Sequence, residues 1–475
     1  MEDERIRIEP AAAIHLIGIC GTGMGALAGL LARAGFAVSG SDAHPYPPMS
    51  TELERLGIDV VEGYRAENLE HRPDLVVVGN VCRRDHPEAA AARRLGLRCV
   101  SMPRALGDLF LADTEPLVIC GTHGKTTTTA ILAYLLRAAG RDPSLLVGGV
   151  TADFGAGYRL GSGPHFVIEG DEYDSAYFEK RPKFLSYLPS AAVITSVEHD
   201  HVDIYPTEED YRRAFRELAK IVRKGPLAVY AGDRVAMEIA RGASVPVVSY
   251  AVEGDAEQGA DWLAVPDGPV AADVFAGGGK IARLELPLAG RHNARNALAA
   301  TILAHEAAGV PLARIEEALP GFGGVARRQQ VVCRRAGVIV YDDFAHHPTA
   351  VKETLSALAA RHPDGRVLAA FEPRSATACR RLHQQRYAGA FEDADEAIIA
   401  PLGRDLPDDE RLDTALLAEQ ISAHGTPAAA AADLEEVVAR IMSRIGPGDA
   451  VVLLSNGSFG GVAERLSARL AQSEG

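Results

Sequence analysis

Cysteine is scarce in this 475-residue chain: six residues, at positions 20, 82, 99, 120, 333 and 379, the nearest two 17 apart. No C-x-x-C pair occurs, which excludes a zinc ribbon, and the mostly apolar or strand-like neighbours of the cysteines read as buried, reduced thiols. No apolar run approaches the roughly 20 residues that a membrane-spanning helix needs. The mixed-charge opening MEDERIRIEP lacks the cationic start of a signal peptide. Positive charge is in deficit: 49 Lys and Arg against 64 Asp and Glu leave a net charge of −15. A surface of that sign repels nucleic acid and anionic membrane, which argues against a general phosphate-backbone binder. A small anionic ligand is still compatible where local dipoles, metal ions or a few cations outweigh the distant field. The expectation is a cytoplasmic protein without nucleic-acid or membrane partners; nothing in the composition bears on oligomeric state.

What is present is an ordinary globular balance, 47% apolar and 24% charged, which excludes disorder, collagen and coiled coil. The length suits about three domains. One grammar occurs three times: a short β-branched run, a Gly-rich or acidic turn, then an amphipathic helix. It begins at Ala13 (AIHLIGICGTGMG), at Pro116 (PLVICGTHGKTTTT) and at Gly337 (GVIVYDDFAHHPTA). Strands alternating with helices predict an α/β protein with parallel sheets, Rossmann-like in the first and third segments and P-loop-like in the middle. Junctions at DTEP and at LPGFGGVARRQ divide the chain into 1–113, 114–324 and 325–475. Between Pro226 and Leu288, short strands with GDR, EGD, PDG and GGG turns add a small antiparallel patch to the middle segment, while Ala428–Ala432 reads as helix or linker.

The first turn, Gly21-Thr22-Gly23-Met24-Gly25-Ala26, fits the dinucleotide fingerprint in its G-x-G-x-x-A form, and Asp42 follows Gly21 by 21 residues. Glycines let backbone N–H groups approach a pyrophosphate, the helix N-terminus adds partial positive charge, and an acid at the next strand end can accept from a ribose. NAD and a nucleotide sugar fit equally well; a tight turn without a ligand is the competing reading. The second turn, Gly121-Thr122-His123-Gly124-Lys125-Thr126-Thr127, follows the strand Leu117–Cys120 and opens a helix predicted over Thr128–Ala139. The full Walker spacing would need Gly where Ile119 stands, so this is a shortened phosphate loop. Its amides suit phosphates, Lys125 the β/γ oxygens, and the Thr126 hydroxyl Mg²⁺.

Two acidic clusters follow at predicted strand ends: Glu169-Gly-Asp171-Glu172-Tyr-Asp174, and Glu198-His199-Asp200-His201-Val-Asp203. Oxygen-rich groups beside a phosphate loop suit Mg²⁺ better than zinc, with a zinc site at His199-Asp200-His201 or plain solvated charges as alternatives. Gly290-Arg291-His292-Asn293-Ala-Arg-Asn296 precedes a helix predicted over Ala297–Ala308; its amides can meet an adenine edge or cap the helix. Asp342-Asp343-Phe-Ala-His346-His347-Pro348 joins strand to helix, where a carboxylate can bind ribose and a histidine a reacting group, or either can cap. Phe371-Glu-Pro-Arg374-Ser375 and Ser455-Asn-Gly-Ser458-Phe459-Gly-Gly461 are further strand-end loops.

In order and spacing these motifs resemble the Mur ligase superfamily over nearly the whole chain. Within it, HLIGICGTGMG and SGSD are similar to the branch that acts on UDP-N-acetylmuramate. EGDEYDSAYFEKRPKF, DDFAHHPTA, FEPRSAT and SNGSFGG look more like the murein peptide ligase branch than the L-alanine-adding one. The resemblance implies an ATP- and Mg²⁺-dependent ligase that joins the muramoyl carboxylate to an amine through an acyl phosphate, in cell-wall peptide recycling. The acceptor would be L-alanyl-γ-D-glutamyl-meso-diaminopimelate, or L-alanine as the alternative. It implies UDP contacts at Gly21, Thr22, Gly23, Met24 and Asp42. Lys125 and Thr126 would hold the phosphates and Mg²⁺, Glu169 that metal, and His201 a second. His292, Asn293 and Asn296 would reach adenine, and Arg328 and Asp343 would reach ATP from the hinge and third domain. His347, Arg374, Ser375 and Ser458 would meet the acceptor. Where several family members carry a carbamylated lysine, Arg216 stands, so no carbamate is expected. A nicotinamide oxidoreductase would leave GTHGKTT unused, and a non-catalytic ATP-gated sensor would not couple phosphate release to the sugar.

Overall fold

The computed structural model describes residues 5–45, 47, 49–202, 204–255 and 259–472. Three sheets carry the architecture. The first is all parallel, in the spatial order Asp59–Glu62, Ala37–Asp42, Ala13–Ile17, Leu75–Val78, Cys99–Ser101. Its central strands read IHLI and VVV because a parallel sheet with helices on its faces buries both sides of each strand.

The middle sheet has ten strands, with Ala191–Ile194, Glu115–Cys120 and His165–Gly170 adjacent at its centre. Seven neighbouring strands run parallel, and antiparallel pairs finish both edges. The antiparallel patch expected after Pro226 is one of these edges: Val247–Val252 pairs in parallel with Trp262–Pro266, which pairs antiparallel with Ala271–Ala276. The third sheet orders Gln330–Arg335, Val338–Asp343, Ala450–Leu454, Val367–Phe371, Glu396–Ile399 and Ala428–Ala430, antiparallel only at the first pair. The six cysteines are unpaired, five of them buried.

Three expectations of local structure are corrected. The helix after the phosphate loop is Lys125–Ala138 and begins three residues earlier than the sequence suggests. Thr126, Thr127, Thr128 and Thr129 are β-branched and poor helix formers, but all four are buried and packing overrides propensity. The second helix runs Arg291–Ile302, so His292, Asn293 and Asn296 sit within it and no Asn caps it; Gly290, at φ 101°, makes the turn. Ala428–Ala430 is a strand, because pairing with Glu396–Ile399 supplies what alanine's weak β preference lacks.

The first and middle segments meet at a close contact. Gly29, within the helix Thr22–Arg33, faces Tyr158, and a Cβ at Gly29 would lie 2.2 Å from the Tyr158 ring. Tyr158 donates to Glu52 at 2.9 Å, and the Arg33 guanidinium lies 5.7 Å from the ring centre. Only glycine permits that approach.

Candidate active site

The strand Glu115–Cys120 delivers the chain into a loop shaped by two glycines. Gly121 has φ 125° and a Cβ there would meet Thr195 Oγ1 at 2.2 Å; Gly124 has φ 78° and a Cβ there would meet Asn296 Oδ1 at 2.3 Å. Both positions combine left-handed backbone with no room for a side chain. Lys125 follows at the first turn of the helix. Its Nζ donates to Gly121 O and lies 2.9 Å from Glu172 Oε2.

Glu172 is fully buried and holds three groups: Lys125, His201 Nε2 at 3.1 Å, and the Tyr211 hydroxyl, which donates at 3.3 Å. Burial pushes its carboxyl up, but Lys125 and His201 together hold it below the usual carboxylate range. The partners answer in kind. Burial pulls Lys125 and His201 down, and the surrounding carboxylates, Glu172 foremost, more than offset it, so both are held above their ordinary values. This central acid stood in the EGDEYD string, but nothing in the string set it apart from its neighbours. Its place under the loop lysine is a tertiary fact.

Glu169, at the end of the adjacent strand, accepts from Thr126 Oγ1 at 2.9 Å and, through its other oxygen, from Gly148 N at 2.7 Å. Arg328, from the hinge into the third sheet, donates to Thr126 Oγ1 at 3.3 Å. Lys125, Thr126, Glu169 and Arg328 therefore form one constellation, with His201 joined to it through Glu172 rather than through Glu169. Thr122 Oγ1 donates to Glu198 O at 2.9 Å and His123 Nε2 meets Glu198 Oε2 at 2.8 Å, which ties the loop to the second acidic cluster. The alternative of zinc at His199-Asp200-His201 is corrected: His199 Nε2 turns to Tyr205 O at 2.8 Å while His201 turns to Glu172. Asp203 lies outside the described residues.

A cavity of about 580 Å³ opens beside the loop, lined by His123, Gly124, Thr127, His292, Asn293, Asn296, Arg328 and Asp343, with Tyr230 on its wall. The two asparagines spend their amides inside the protein: Asn293 Nδ2 donates to Ala289 O at 2.8 Å, Asn296 Nδ2 to Asn293 Oδ1 at 3.2 Å, and Asn296 Oδ1 accepts from Thr128 at 3.2 Å. Asp343 accepts from Gln329 N at 2.7 Å and Ala345 N at 2.8 Å, so it pins the hinge to the third sheet at the cavity's edge.

The remaining candidates lie apart. In the first segment, Gly21 caps the helix that starts at Thr22, Met24 is buried, and Asp42 accepts from Cys20 N at 2.9 Å, bracing the turn. His347 is buried where the third segment meets the middle one, 3.7 Å from Glu198. Arg374 lies against the strand-end loop Ser455–Gly461, where a Cβ at Gly457 would come within 2.2 Å of its Cδ, and it pairs with Glu372 at 3.4 Å. Ser375 accepts from Ala378 N at 2.9 Å, and Ser458 is exposed. Arg216 pairs with Glu209 at 2.6 Å on the outer face of the helix Glu208–Ile221. Thr349 and Arg386 of the third segment both reach Glu198, and Thr377 donates to Asp200 at 3.0 Å, so the third domain is drawn down on the phosphate loop.

Fold and site together define a three-part enzyme built around a phosphate loop. Residues 13–114 match the model described as Mur ligase family, catalytic domain; 119–304 match the Mur ligase middle domain; and 327–457 match the Mur ligase, glutamate ligase domain. The chain belongs to the Mur ligase family and is an ATP-dependent, ADP-forming ligase. It is 35% identical to the UDP-N-acetylmuramate–L-alanyl-γ-D-glutamyl-meso-2,6-diaminoheptandioate ligase of Haemophilus influenzae, over 96% of this chain and 99% of that protein. The ligase of the same name from Escherichia coli is 36% identical, over 97% and 98%. A UDP-N-acetylmuramate–L-alanine ligase of Anaeromyxobacter sp. is 35% identical over 94% and 95%. The crystal structure of a murein peptide ligase from Psychrobacter arcticus superposes with a TM-score of 0.70 at 33% identity, covering 97% of this chain and 98% of that one. Among the described residues no helix is long and apolar enough to cross a membrane.

Proposed function

We propose that this ligase joins the carboxylate of UDP-N-acetylmuramate to the amine of L-alanyl-γ-D-glutamyl-meso-diaminopimelate, with ATP cleaved to ADP and phosphate. The observation that carries the reading is the convergence of Lys125, Thr126, Glu169 and Arg328 at one phosphate loop with the third domain drawn over it. The two relatives named for the tripeptide acceptor support that choice, as do the EGDEYDSAYFEKRPKF, FEPRSAT and SNGSFGG segments. The L-alanine reading stands second, favoured by the relative that bears that name at 35% identity over a slightly shorter match.

A carboxylate at neutral pH is a poor electrophile, so amide formation needs activation. In this reading the muramoyl carboxylate attacks the γ-phosphate, ADP leaves, and the acceptor amine displaces phosphate from the acyl phosphate. Two anions must meet, and Lys125 with Arg328 supplies the positive charge. The Thr126 hydroxyl and the Glu169 carboxylate are hard oxygen donors of the kind Mg²⁺ takes, and they would hold it; bound there, the ion supplies neutralisation of phosphate charge. The reading keeps His201 as a ligand of a second ion, with Glu172 as its companion. His292 and the cavity wall would take the adenine, while Asn296 holds the loop in shape. Gly21, Gly23 and Asp42 would form the uridine-nucleotide turn, and His347, Arg374, Ser375 and Ser458 the acceptor side. Closure over the loop excludes water, which would otherwise hydrolyse the acyl phosphate.

The test offers the purified protein UDP-N-acetylmuramate, ATP and Mg²⁺ with either the tripeptide or L-alanine. The expected product has the mass of the tripeptide amide, with ADP formed one for one. A product with L-alanine alone transfers the assignment to the second reading, and ATP cleavage indifferent to the sugar overturns both.

A further inference from the structure

Three side chains from separate segments converge at the edge of the phosphate loop. His123 lies in the loop, Glu198 follows the strand Ala191–Ile194, and His347 stands immediately before the helix Pro348–Arg361 of the third domain. Glu198 Oε2 is 2.8 Å from His123 Nε2 and 3.7 Å from His347 Nδ1. One ligand atom from each of the three lies within 4.8 Å of the others. His347 is only 4% exposed, and neither of its ring nitrogens has a hydrogen-bond partner. Buried polar groups are ordinarily satisfied, so an imidazole with two idle nitrogens, one of them 3.7 Å from a carboxylate and its ring 4.8 Å from a second imidazole, needs a reason.

We propose that His123, Glu198 and His347 bind a transition-metal dication of the zinc class. The site is distinct from the Mg²⁺ position assigned to Thr126 and Glu169, and the ion clasps the third domain onto the phosphate loop. Ligand atoms about 2.0–2.1 Å from a tetrahedral zinc lie about 3.3 Å from one another, and the separations of 2.8 and 3.7 Å bracket that value. Two imidazoles and one carboxylate suit Zn²⁺, Co²⁺ or Ni²⁺, whereas Mg²⁺ takes an oxygen shell and does not compete.

The other charges nearby are consistent with a cation. Asp200 adds negative potential at His347, and the His383 ring packs edge-on against it at 4.9 Å. Arg386 is the opposing charge; it pairs with the other oxygen of Glu198, and its side chain is 47% exposed, so solvent can receive it when an ion arrives. Because the ligands come from both sides of the domain junction, an ion favours the closed arrangement over the open one. Turnover needs the domains to part for nucleotide exchange, so the expected consequence is inhibition.

The test titrates the full metal-free chain with Co²⁺ in millimolar Mg²⁺. The expected result is one equivalent bound, with the strong visible absorption of a four-coordinate site. Affinity should fall by at least ~100-fold in His347→Ala and stay unchanged in Glu169→Gln. X-ray absorption on the Zn²⁺-loaded wild-type chain is the second measurement, independent of any variant's folding: it should find two imidazole nitrogens and oxygen at about 2.0–2.1 Å. Weak six-coordinate absorption, an all-oxygen shell, or wild-type affinity in His347→Ala overturns the proposal. These readouts do not depend on which acceptor the enzyme uses.

Discussion

The turn after Ala13–Ile17 and the turn after Glu115–Cys120 each end a parallel strand, spend glycines and open a helix, yet their surroundings differ. In the first, Gly21 and Gly23 have ordinary backbone angles, and a Cβ at either would make only van der Waals contact, 3.5 Å to Gly18 O and 3.6 Å to Met102 Cε. Among the described residues its side-chain brace is Asp42 on Cys20 N. In the second, both glycines lie at positive φ under close cover from Thr195 and Asn296, and the following residues meet Glu169, Glu172 and Arg328. At Gly21 and Gly23 the first turn is open, though Gly18 lies at φ 80° and a Cβ at Gly25 would meet Met49 Sδ at 2.1 Å; the second is covered at both of its glycines by partners from four other segments. A glycine pattern describes how a backbone turns. What the turn can do with charge depends on what the fold packs against it.

The largest expected effect tests the charged turn. Lys125→Met should lower ligation by at least ~10²-fold and cost about 3–5 kcal/mol of stability, because it strands the buried Glu172 carboxylate. Adding Glu172→Gln should restore much of the stability, read from denaturant midpoints, and none of the activity. If the single variant is as stable as the wild type, the pair is not what holds the second turn rigid. Next, Gly124→Ala should destabilise by about 1–3 kcal/mol and weaken ATP binding in calorimetry.

The pH dependence sharpens the same contrast. His201 is held above its ordinary value by Glu172 and Asp200, so its charged form stabilises the fold fully below about pH 6.5, and that contribution drains away as pH rises through the raised value. Denaturation at stepped pH should show stability falling on the alkaline side by at most about 1.4 kcal/mol per pH unit from this group, and His201→Gln should flatten that limb. In the first turn the Cys20 thiol is also held up, to about 11, by burial and by Asp42, so its effect falls at a more alkaline pH than that of His201. Tyr158→Phe, at the contact between first and middle segments, should cost about 1 kcal/mol by losing the bond to Glu52. The smallest effect belongs to the open turn: Gly23→Ala should change stability by under about 0.5 kcal/mol. A large loss there would mean that Gly23 is as tightly covered as the glycines of the second turn.

Much of the architecture was legible because strand, turn and helix alternate three times with short connections, and parallel sheets follow from that alternation. The phosphate loop was legible because GTHGKTT is local: loop, lysine and helix lie within seven residues. Misplaced boundaries came from the same locality. Thr126–Thr129 and Ala428–Ala430 take their states from burial and strand pairing, which local preference does not report. Asn293 and Asn296, whose expected place is beside adenine, line the cavity next to the loop, and their amides also form a bracket from Ala289 to Thr128 that only the packing of two helices creates.

By itself the sequence determined the three α/β units, the turn chemistry of each glycine-rich loop and the set of acids at strand ends, since these depend on residues a few positions apart. The tertiary structure alone decided which acid lies under Lys125, which one meets Thr126, and that Glu198 gathers His123, His347 and Arg386. The reason is electrostatic. An ion pair depends on separation and on burial, and both are set by segments that are dozens to hundreds of residues apart in the chain.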